Sequence, residues 1–89
     1  MEIVFDPAKE KSNIAKHGVS LADAANLIWD EGQVKIDDSR YYGEIREIGF
    51  APIGDRLYCV VFTDCGDVRR IISLRKATEQ EVKFYVEQA

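Results

Sequence analysis

Residues 56–75, RLYCVVFTDCGDVRRIISLR, decide the fold class of this chain. Within them, the run Leu57–Phe62 is apolar on both strand parities, which is typical of a central strand covered on both faces. Asp64–Asp67 has the composition of a turn, and Val68–Arg75 again has the composition of a strand. Because a short connection joins neighbouring strands in antiparallel fashion, the stretch predicts a hairpin at the centre of a sheet.

Three further strands are predicted around this hairpin, over Glu2–Phe5, Gln33–Asp38 and Glu44–Ala51. The residues Pro52 and Gly54 mark the turn before the central strand. The sheet therefore has five predicted strands.

Helix signals fill the remaining segments. Asp6 followed by Pro7 predicts the start of a helix that runs to His17, with Gly18 as a left-handed stop. A second helix is predicted from Ser20 to about Trp29 because apolar residues recur there at helical spacing. That predicted apolar stripe consists of Leu21, Ala24, Ala25, Ile28 and Trp29.

A third helix is predicted to begin at Thr78, which forms a candidate capping box with Glu81. Its predicted apolar stripe consists of Val82, Tyr85, Val86 and Ala89. The resulting order is β-α-α-β-β-β-β-α. We therefore expect one α+β domain over residues 1–89, with a mostly antiparallel sheet and helices packed on it.

The composition limits the classes of function. The chain has 89 residues, with 16 acidic and 12 basic side chains and a net charge of −4. No apolar run approaches the roughly 20 residues of a membrane span, and the N-terminus has no secretory signal pattern. We expect Cys59 to be a buried thiol and Cys65 a surface thiol in a reducing cytoplasm. Two cysteines and one histidine do not have zinc spacing, and no cofactor motif is present.

The run from Arg69 to Lys76 carries four positive charges and no negative charge on this acidic background. Such a run is a candidate anion site, with phosphate as the leading ligand. On a regular strand, Arg69, Ser73 and Arg75 share one face and Arg70 lies on the other. The alternative is that the charges protect an edge strand against pairing with other chains.

Two further groups are candidates for chemistry. His17, the only histidine, and Lys16 lie at a predicted helix C-terminus, where either a proton donor or a purely structural cation is expected. Glu44 and Arg46 are two residues apart on a predicted strand and would share one face. They are either a base with an anion-binding partner or a solvated ion pair.

These residues resemble a known family, and the resemblance covers nearly the whole chain. Phe5-Asp6-Pro7-Ala8-Lys9, Asn13, Lys16-His17-Gly18-Val19-Ser20 and Ala24 are similar to the opening pattern of the BrnT toxins. Glu44-x-Arg46 with Gly49, then Val60-Val61-Phe62-Thr63, continues that pattern, and Arg70-Ile71-Ile72-Ser73-x-Arg75-Lys76-Ala77 closes it.

The resemblance implies a RelE-like ribonuclease toxin of a bacterial type II toxin–antitoxin system. It further implies neutralisation by a BrnA-type protein antitoxin, RNA as substrate, and contact with operator DNA only through the antitoxin. No cofactor, metal or membrane is implied. The rival hypothesis is a non-catalytic protein that acts only by binding its antitoxin, and direct DNA binding by this chain alone is disfavoured because no recognition helix is visible.

The resemblance and the residues together predict a metal-free cleavage of RNA. Stabilisation of the phosphate and the transition state is assigned to Arg46, Arg70 and Arg75, with Arg69 and Lys76 as further RNA-binding cations. His17 or Lys16 is the candidate acid, Glu44 the candidate base, and Ser73 positions a phosphate oxygen. Regular strand parity separates Arg70 from Ser73 and Arg75. Either a bulge before Ile71 reunites them, or Arg70 acts from the opposite face.

Overall fold

The computed structural model describes residues 1–38 and 43–89 and shows an α+β fold built on one five-stranded sheet. The elements, in chain order, are β1 (Glu2–Val4), α1 (Pro7–His17), two 3-10 helices (Leu21–Asn26 and Trp29–Glu31), β2 (Gln33–Asp37), β3 (Arg46–Ile53), β4 (Arg56–Cys65), β5 (Val68–Lys76) and α2 (Glu79–Gln88).

The strand order is β1-β5-β4-β3-β2, so β4 is the middle strand, as the sequence predicts. The strands from β2 to β5 pair antiparallel with their neighbours in the chain. β1 instead pairs with β5 and runs parallel to it. The expectation of a mostly antiparallel sheet is therefore wrong, and the sheet is mixed. Hairpin connections set the direction of consecutive strands only, and no hairpin links β1 to β5.

The hydrophobic core lies on one side of this sheet, which we call the core face. Val60, Phe62, Ile71 and Leu74 on this face are almost completely buried beneath the segment that follows α1. The ring of Trp29 meets the ring of Phe62 edge-on, with centroids 5.4 Å apart. Burial of these large side chains is the main stabilising contribution to the fold.

A β-bulge in β5 sets which side chains face this core. Val61 pairs with Ser73, but the next residue of β4, Phe62, pairs with Ile71, so Ile72 is an extra residue. The extra residue changes the alternation of side chains beyond it. Ile71 and Leu74, three residues apart, can therefore both point into the core. The predicted bulge exists, but it follows Ile71 instead of preceding it.

The opposite side of the sheet is called the α2 face, because α2 is attached at one end of it. Thr63, Val61 and Cys59 lie on this side of β4, since they alternate with the buried Val60 and Phe62. Their partners on β5 are respectively Arg70, Ser73 and Arg75. The bulge thus brings these three residues onto one face, although regular strand alternation would place Arg70 on the face opposite to Ser73 and Arg75.

The second predicted helix is wrong in type and in length. A 3-10 helix ends at Asn26, and the backbone of Leu27 is extended, which separates it from a second short 3-10 helix. Leu21 and Ala24 are buried because their spacing of three residues matches the 3-10 period. Ala25 and Ile28, members of the predicted α-helical stripe, are exposed.

Helix α1 has the bounds that the sequence predicts. Asp6 accepts a hydrogen bond from the Ala8 N–H at 2.8 Å, and Gly18 ends the helix with φ = 68°. The helix is anchored through the buried Asn13, whose side-chain amide donates to the carbonyl oxygens of Val19 and Leu74 at 2.8 and 2.7 Å. The Asn13 carbonyl oxygen accepts from the Leu74 N–H at 3.2 Å.

Asn13 therefore satisfies both backbone groups of Leu74, in the part of β5 beyond its pairing with β1. A backbone amide buried without a partner costs free energy, so this side chain replaces a missing strand at that position.

Helix α2 begins as predicted, with a complete capping box between Thr78 and Glu81. Its apolar stripe is not buried, however, because no residue of α2 belongs to the core and the side chain of Val86 is 63% exposed. Polar contacts attach the helix instead. The Tyr85 hydroxyl donates to the Glu31 carbonyl oxygen at 2.6 Å, and the Gln33 amide donates to the Tyr85 carbonyl oxygen at 3.1 Å.

Substitution of Asn13 by alanine tests the anchoring of α1. The change leaves the N–H and C=O of Leu74 without their partner, so we expect the free energy of unfolding to fall by about 2–4 kcal/mol. Urea denaturation followed by circular dichroism measures the difference. Asn26→Ala, at an exposed position, is the matched control and should change stability by less than about 0.5 kcal/mol. Equal stability of the two variants would contradict this assignment.

Candidate phosphate-binding cleft

The cations of β5 lie on two sides of the sheet. Arg69 is on the core face, where its guanidinium lies 4.5 Å from the ring centroid of Trp29 and 4.2 Å from that of Phe62. It also makes a two-pronged ion pair with Asp64, at 2.7 and 2.9 Å. The planar guanidinium is well suited to both contacts. Arg69 is therefore occupied by the protein itself and lies away from Arg70 and Arg75.

Arg75 lies on the α2 face and is also paired. Its two terminal nitrogens donate to the two carboxylate oxygens of Glu81 at 2.8 and 2.9 Å. These hydrogen bonds lower the pKa of Glu81 to about 2 and raise the pKa of Arg75. Next to Arg75, Cys59 is buried, and burial raises the pKa of its thiol. The ion pair links α2 to the sheet.

Arg70 differs from these two arginines. Its side chain is exposed, and among residues 1–38 and 43–89 it makes no ion pair. It lines a cleft of about 340 Å³ at the junction of β1 and α1. The polar side chains around this cleft are three cations and two carboxylates, namely Lys9, Arg46, Arg70, Asp6 and Glu44. The cleft is thus locally positive on a protein whose net charge is −4.

Glu44 and Arg46 meet at this cleft, as their spacing suggests, although not through strand geometry. Glu44 precedes β3, which begins at Arg46, so the expectation that both lie on a strand is wrong. The Arg46 Nε donates to the Glu44 carboxylate at 3.2 Å, and Arg46 makes further contacts as well. The carboxylate remains about one-third exposed, so a bound ligand can still contact it.

The other predicted site residues lie outside this cleft. Lys16 and His17 are exposed at the last turn of α1. Lys9 lines the cleft, and His17 lies about 12 Å from Lys9 along the helix axis, towards the C-terminus of α1. Ser73 is half-buried on the α2 face, between Arg70 and Arg75, and Lys76 is exposed at the end of β5.

Lys9 and Asp6 are the cleft residues that the sequence reasoning did not assign as functional. Their position follows from the parallel pairing of β1 with β5, in which Val4 is opposite Arg70. The chain leaving β1 therefore passes beside Arg70 and carries Asp6 and Lys9 with it. The block from Phe5 to Lys9 was a usable signal, but its position depended on a pairing that local patterns do not reveal.

The cleft is suited to an anion with several oxygen atoms. Arginine and lysine donors from three different segments surround it, and one exposed carboxylate stands beside them. The Asp6 carboxylate is already committed to the N-terminus of α1. Within the described ranges, no group of three or more His, Cys, Asp and Glu side chains is arranged to hold a metal ion, and no helix is long and apolar enough to cross a membrane.

Comparison with known proteins gives one family. The family described as "Ribonuclease toxin, BrnT, of type II toxin-antitoxin system" matches residues 5–81 of the chain. This range includes the whole cleft, β5 and the start of α2. No curated protein matches the chain.

The pairing of Arg75 with Glu81 predicts a specific dependence of stability on pH. The pKa of Glu81 is lower in the folded protein, about 2 against 4.5, so the carboxylate stabilises the fold above pH 4.5. This contribution, about 1 kcal/mol for a partly exposed pair, is lost as the pH falls from 4.5 towards 2. The free energies of unfolding of wild type and Glu81→Gln, measured by urea denaturation, should therefore differ at pH 6 and converge near pH 2. Glu79→Gln, at an exposed position in the same turn, should follow the wild type, and a pH-independent difference for Glu81→Gln would contradict the assignment.

Proposed function

The chain belongs to the BrnT family of ribonuclease toxins of type II toxin–antitoxin systems, and we propose that it cleaves RNA in the cleft between the start of α1 and the α2 face. The observation that carries the proposal is the position of Arg70. It is a cation without a carboxylate partner in the described part of the chain, and it stands beside Arg46 and Glu44.

The proposed reaction is attack of an RNA 2′-hydroxyl on the adjacent phosphorus. Glu44 accepts the proton of the 2′-hydroxyl, and the new O–P bond forms a dianionic phosphorane. Arg70 and Arg46 stabilise the added negative charge, and Lys9 is a third cation at the same place. Departure of the 5′-oxygen with a proton completes the step and leaves a 2′,3′-cyclic phosphate. The charges and the base all come from the protein, which supports a reaction that needs no metal ion.

The proton donor for the 5′-oxygen is proposed to be His17 or Lys16. Both lie on α1 beyond Lys9, so the strand leaving the cleft has to follow the helix towards its C-terminus for either residue to act. Ser73, next to Arg70 on the α2 face, is proposed to bind a neighbouring phosphate oxygen. Arg75 is proposed as a further phosphate contact once it exchanges Glu81 for RNA. Arg69 and Lys76 are proposed to contribute only to the local potential.

The wider biological role follows from the family. We propose that RNA cleavage arrests translation and growth in a bacterial cytoplasm and that a BrnA-type antitoxin neutralises the protein. Operator DNA is then contacted only through the antitoxin. A RelE-like relationship of the fold belongs to the same proposal, supported by the α+β architecture with helices packed on a sheet.

The second candidate function is partner binding without catalysis. It is favoured by the ion pairs that occupy Arg69 and Arg75, since both arginines are engaged by carboxylates of the same chain. Under this hypothesis the cleft receives an acidic segment of the antitoxin instead of RNA. Cleavage assays on the purified protein distinguish the two functions.

Arg70→Ala tests the proposed role of the cleft. Loss of this cation removes stabilisation of the phosphorane, so RNA cleavage by the purified variant should fall about 100-fold or more. Induced expression in a bacterial host should then no longer arrest growth, as measured by optical density and by decay of cellular RNA. Arg56→Ala, which removes an exposed cation at the β3–β4 turn, is the matched control and should retain full activity.

The same assay applied to His17→Ala and Lys16→Ala tests the proposed proton donors. Undiminished cleavage by both variants would remove these residues from the mechanism. An Arg70→Ala variant as active as the wild type would remove the cleft, and a wild type that binds the antitoxin but leaves RNA intact would establish the non-catalytic function.

The proposed chemistry also predicts the products and the metal dependence. Cleavage should proceed at an unchanged rate in excess EDTA, because protein cations stabilise the transition state. The fragments should carry 2′,3′-cyclic phosphate and 5′-hydroxyl ends, which mass spectrometry and end-labelling with polynucleotide kinase detect. Loss of activity in EDTA with recovery on addition of Mg²⁺, or 5′-phosphate ends, would contradict the mechanism.

A further inference from the structure

A groove of about 730 Å³ lies between α2 and the sheet, separate from the cleft of Arg70. Its walls combine aromatic rings, amide groups, one cation and the carboxylate of Glu81, which is paired with Arg75. The aromatic, amide and cationic groups belong to Phe50, Phe84, Gln33, Gln80, Gln88 and Lys35. None of these residues has a role in the proposed reaction.

The groove and the candidate phosphate ligands share one face of the sheet. Arg75 is opposite Cys59, Cys59 is opposite Phe50, and Phe50 is opposite Gln33, so these four residues cross the α2 face in one row. Arg70 is opposite Thr63, four residues along β4 from Cys59. The two rows are therefore about 13 Å apart. A short single strand of RNA held at Arg70 can reach the groove along this face.

The side chain of Phe84 is 59% exposed, although a large aromatic side chain usually gains stability from burial. Phe50, half-buried, lies on the sheet side of the same groove. Exposed aromatic rings stack on unpaired bases, amide groups pair with base edges, and a lysine neutralises a phosphate. The groove offers all three kinds of group within one recess.

We propose that this groove binds an unpaired nucleobase of the RNA substrate, with Phe84 as the stacking platform. The inference rests on the proposed ribonuclease function and adds a contact that selects the substrate at a distance from the reacting phosphate. The amides of Gln80 and Gln88 flank the stacked base and supply a preference among bases, because each base edge presents a different pattern of donors and acceptors. The Gln33 amide is already engaged by the Tyr85 carbonyl oxygen.

The test measures binding of 2′-O-methyl oligoribonucleotides, which lack the attacking hydroxyl and so are not cleaved by the proposed reaction. Labelled oligo(A), oligo(C) and oligo(U) are titrated with full-length protein, and fluorescence anisotropy gives the affinities. Phe84→Ala should weaken binding about 5- to 150-fold for the preferred oligonucleotide. Phe84→Trp should restore the affinity, and its added indole fluorescence should be quenched by the bound base.

Val86→Ala is the matched control, because Val86 is an exposed apolar residue of α2 that lines a different recess. It should bind every oligonucleotide as the wild type does. Gln80→Ala should reduce the difference in affinity between oligonucleotides more than it reduces the mean affinity. Circular dichroism of each variant establishes that the fold is retained.

Three results would overturn the proposal. In the first, Phe84→Ala binds the oligonucleotides as tightly as the wild type does. In the second, Phe84→Ala and Val86→Ala lose the same amount of affinity for them. In the third, Phe84→Ala no longer binds the antitoxin but still binds RNA. The last result would identify the groove as a protein interface. Binding that depends on Phe84 in a protein that fails to cleave natural RNA would support the base site while contradicting the ribonuclease proposal, so the two failures are distinguishable.

Discussion

The single extra residue in β5 is the constraint on which the rest of the structure depends. Without Ile72 as a bulge, Ile71 and Leu74 would lie on opposite faces, and one of these buried side chains would leave the core. With the bulge, both remain buried, and Arg70, Ser73 and Arg75 come onto the other face. One backbone irregularity thus satisfies the hydrophobic core and assembles the polar face, which is a common use of bulges near functional sites.

The two sides of the sheet are stabilised by different forces. On the core face, Phe62, Ile71 and Leu74 are removed from water almost completely, and this burial holds the 3-10 segment in place. On the α2 face, the helix is attached by hydrogen bonds and by the ion pair of Arg75 with Glu81. Arg70, Ser73 and Arg75 therefore stand on the sheet, on the side where the attachment of the helix is mainly polar.

Local patterns in the sequence predicted the helix starts and the central position of β4, because these features depend on neighbouring residues. The bulge near Ile71 was suggested only by the conflict between strand parity and the family resemblance. Local patterns did not predict the parallel pairing of β1 with β5, which joins segments more than 60 residues apart and brings Lys9 to Arg70. They also overestimated the helix after Ser20, because spacings of three and four residues are difficult to distinguish in so short a segment. Local patterns also did not predict the ion pair of Arg75 with Glu81, because it depends on how α2 lies against the sheet.

The parallel pairing of β1 with β5 has a consequence for the order of events during synthesis. The cleft takes Lys9 from the beginning of the chain and Arg70 from near its end, and Asn13 reaches across to Leu74. A nascent chain that has not yet exposed β5 outside the ribosome lacks one wall of the cleft and the partner strand of β1. Cotranslational folding therefore cannot complete this site until β5 has been translated and has left the ribosome.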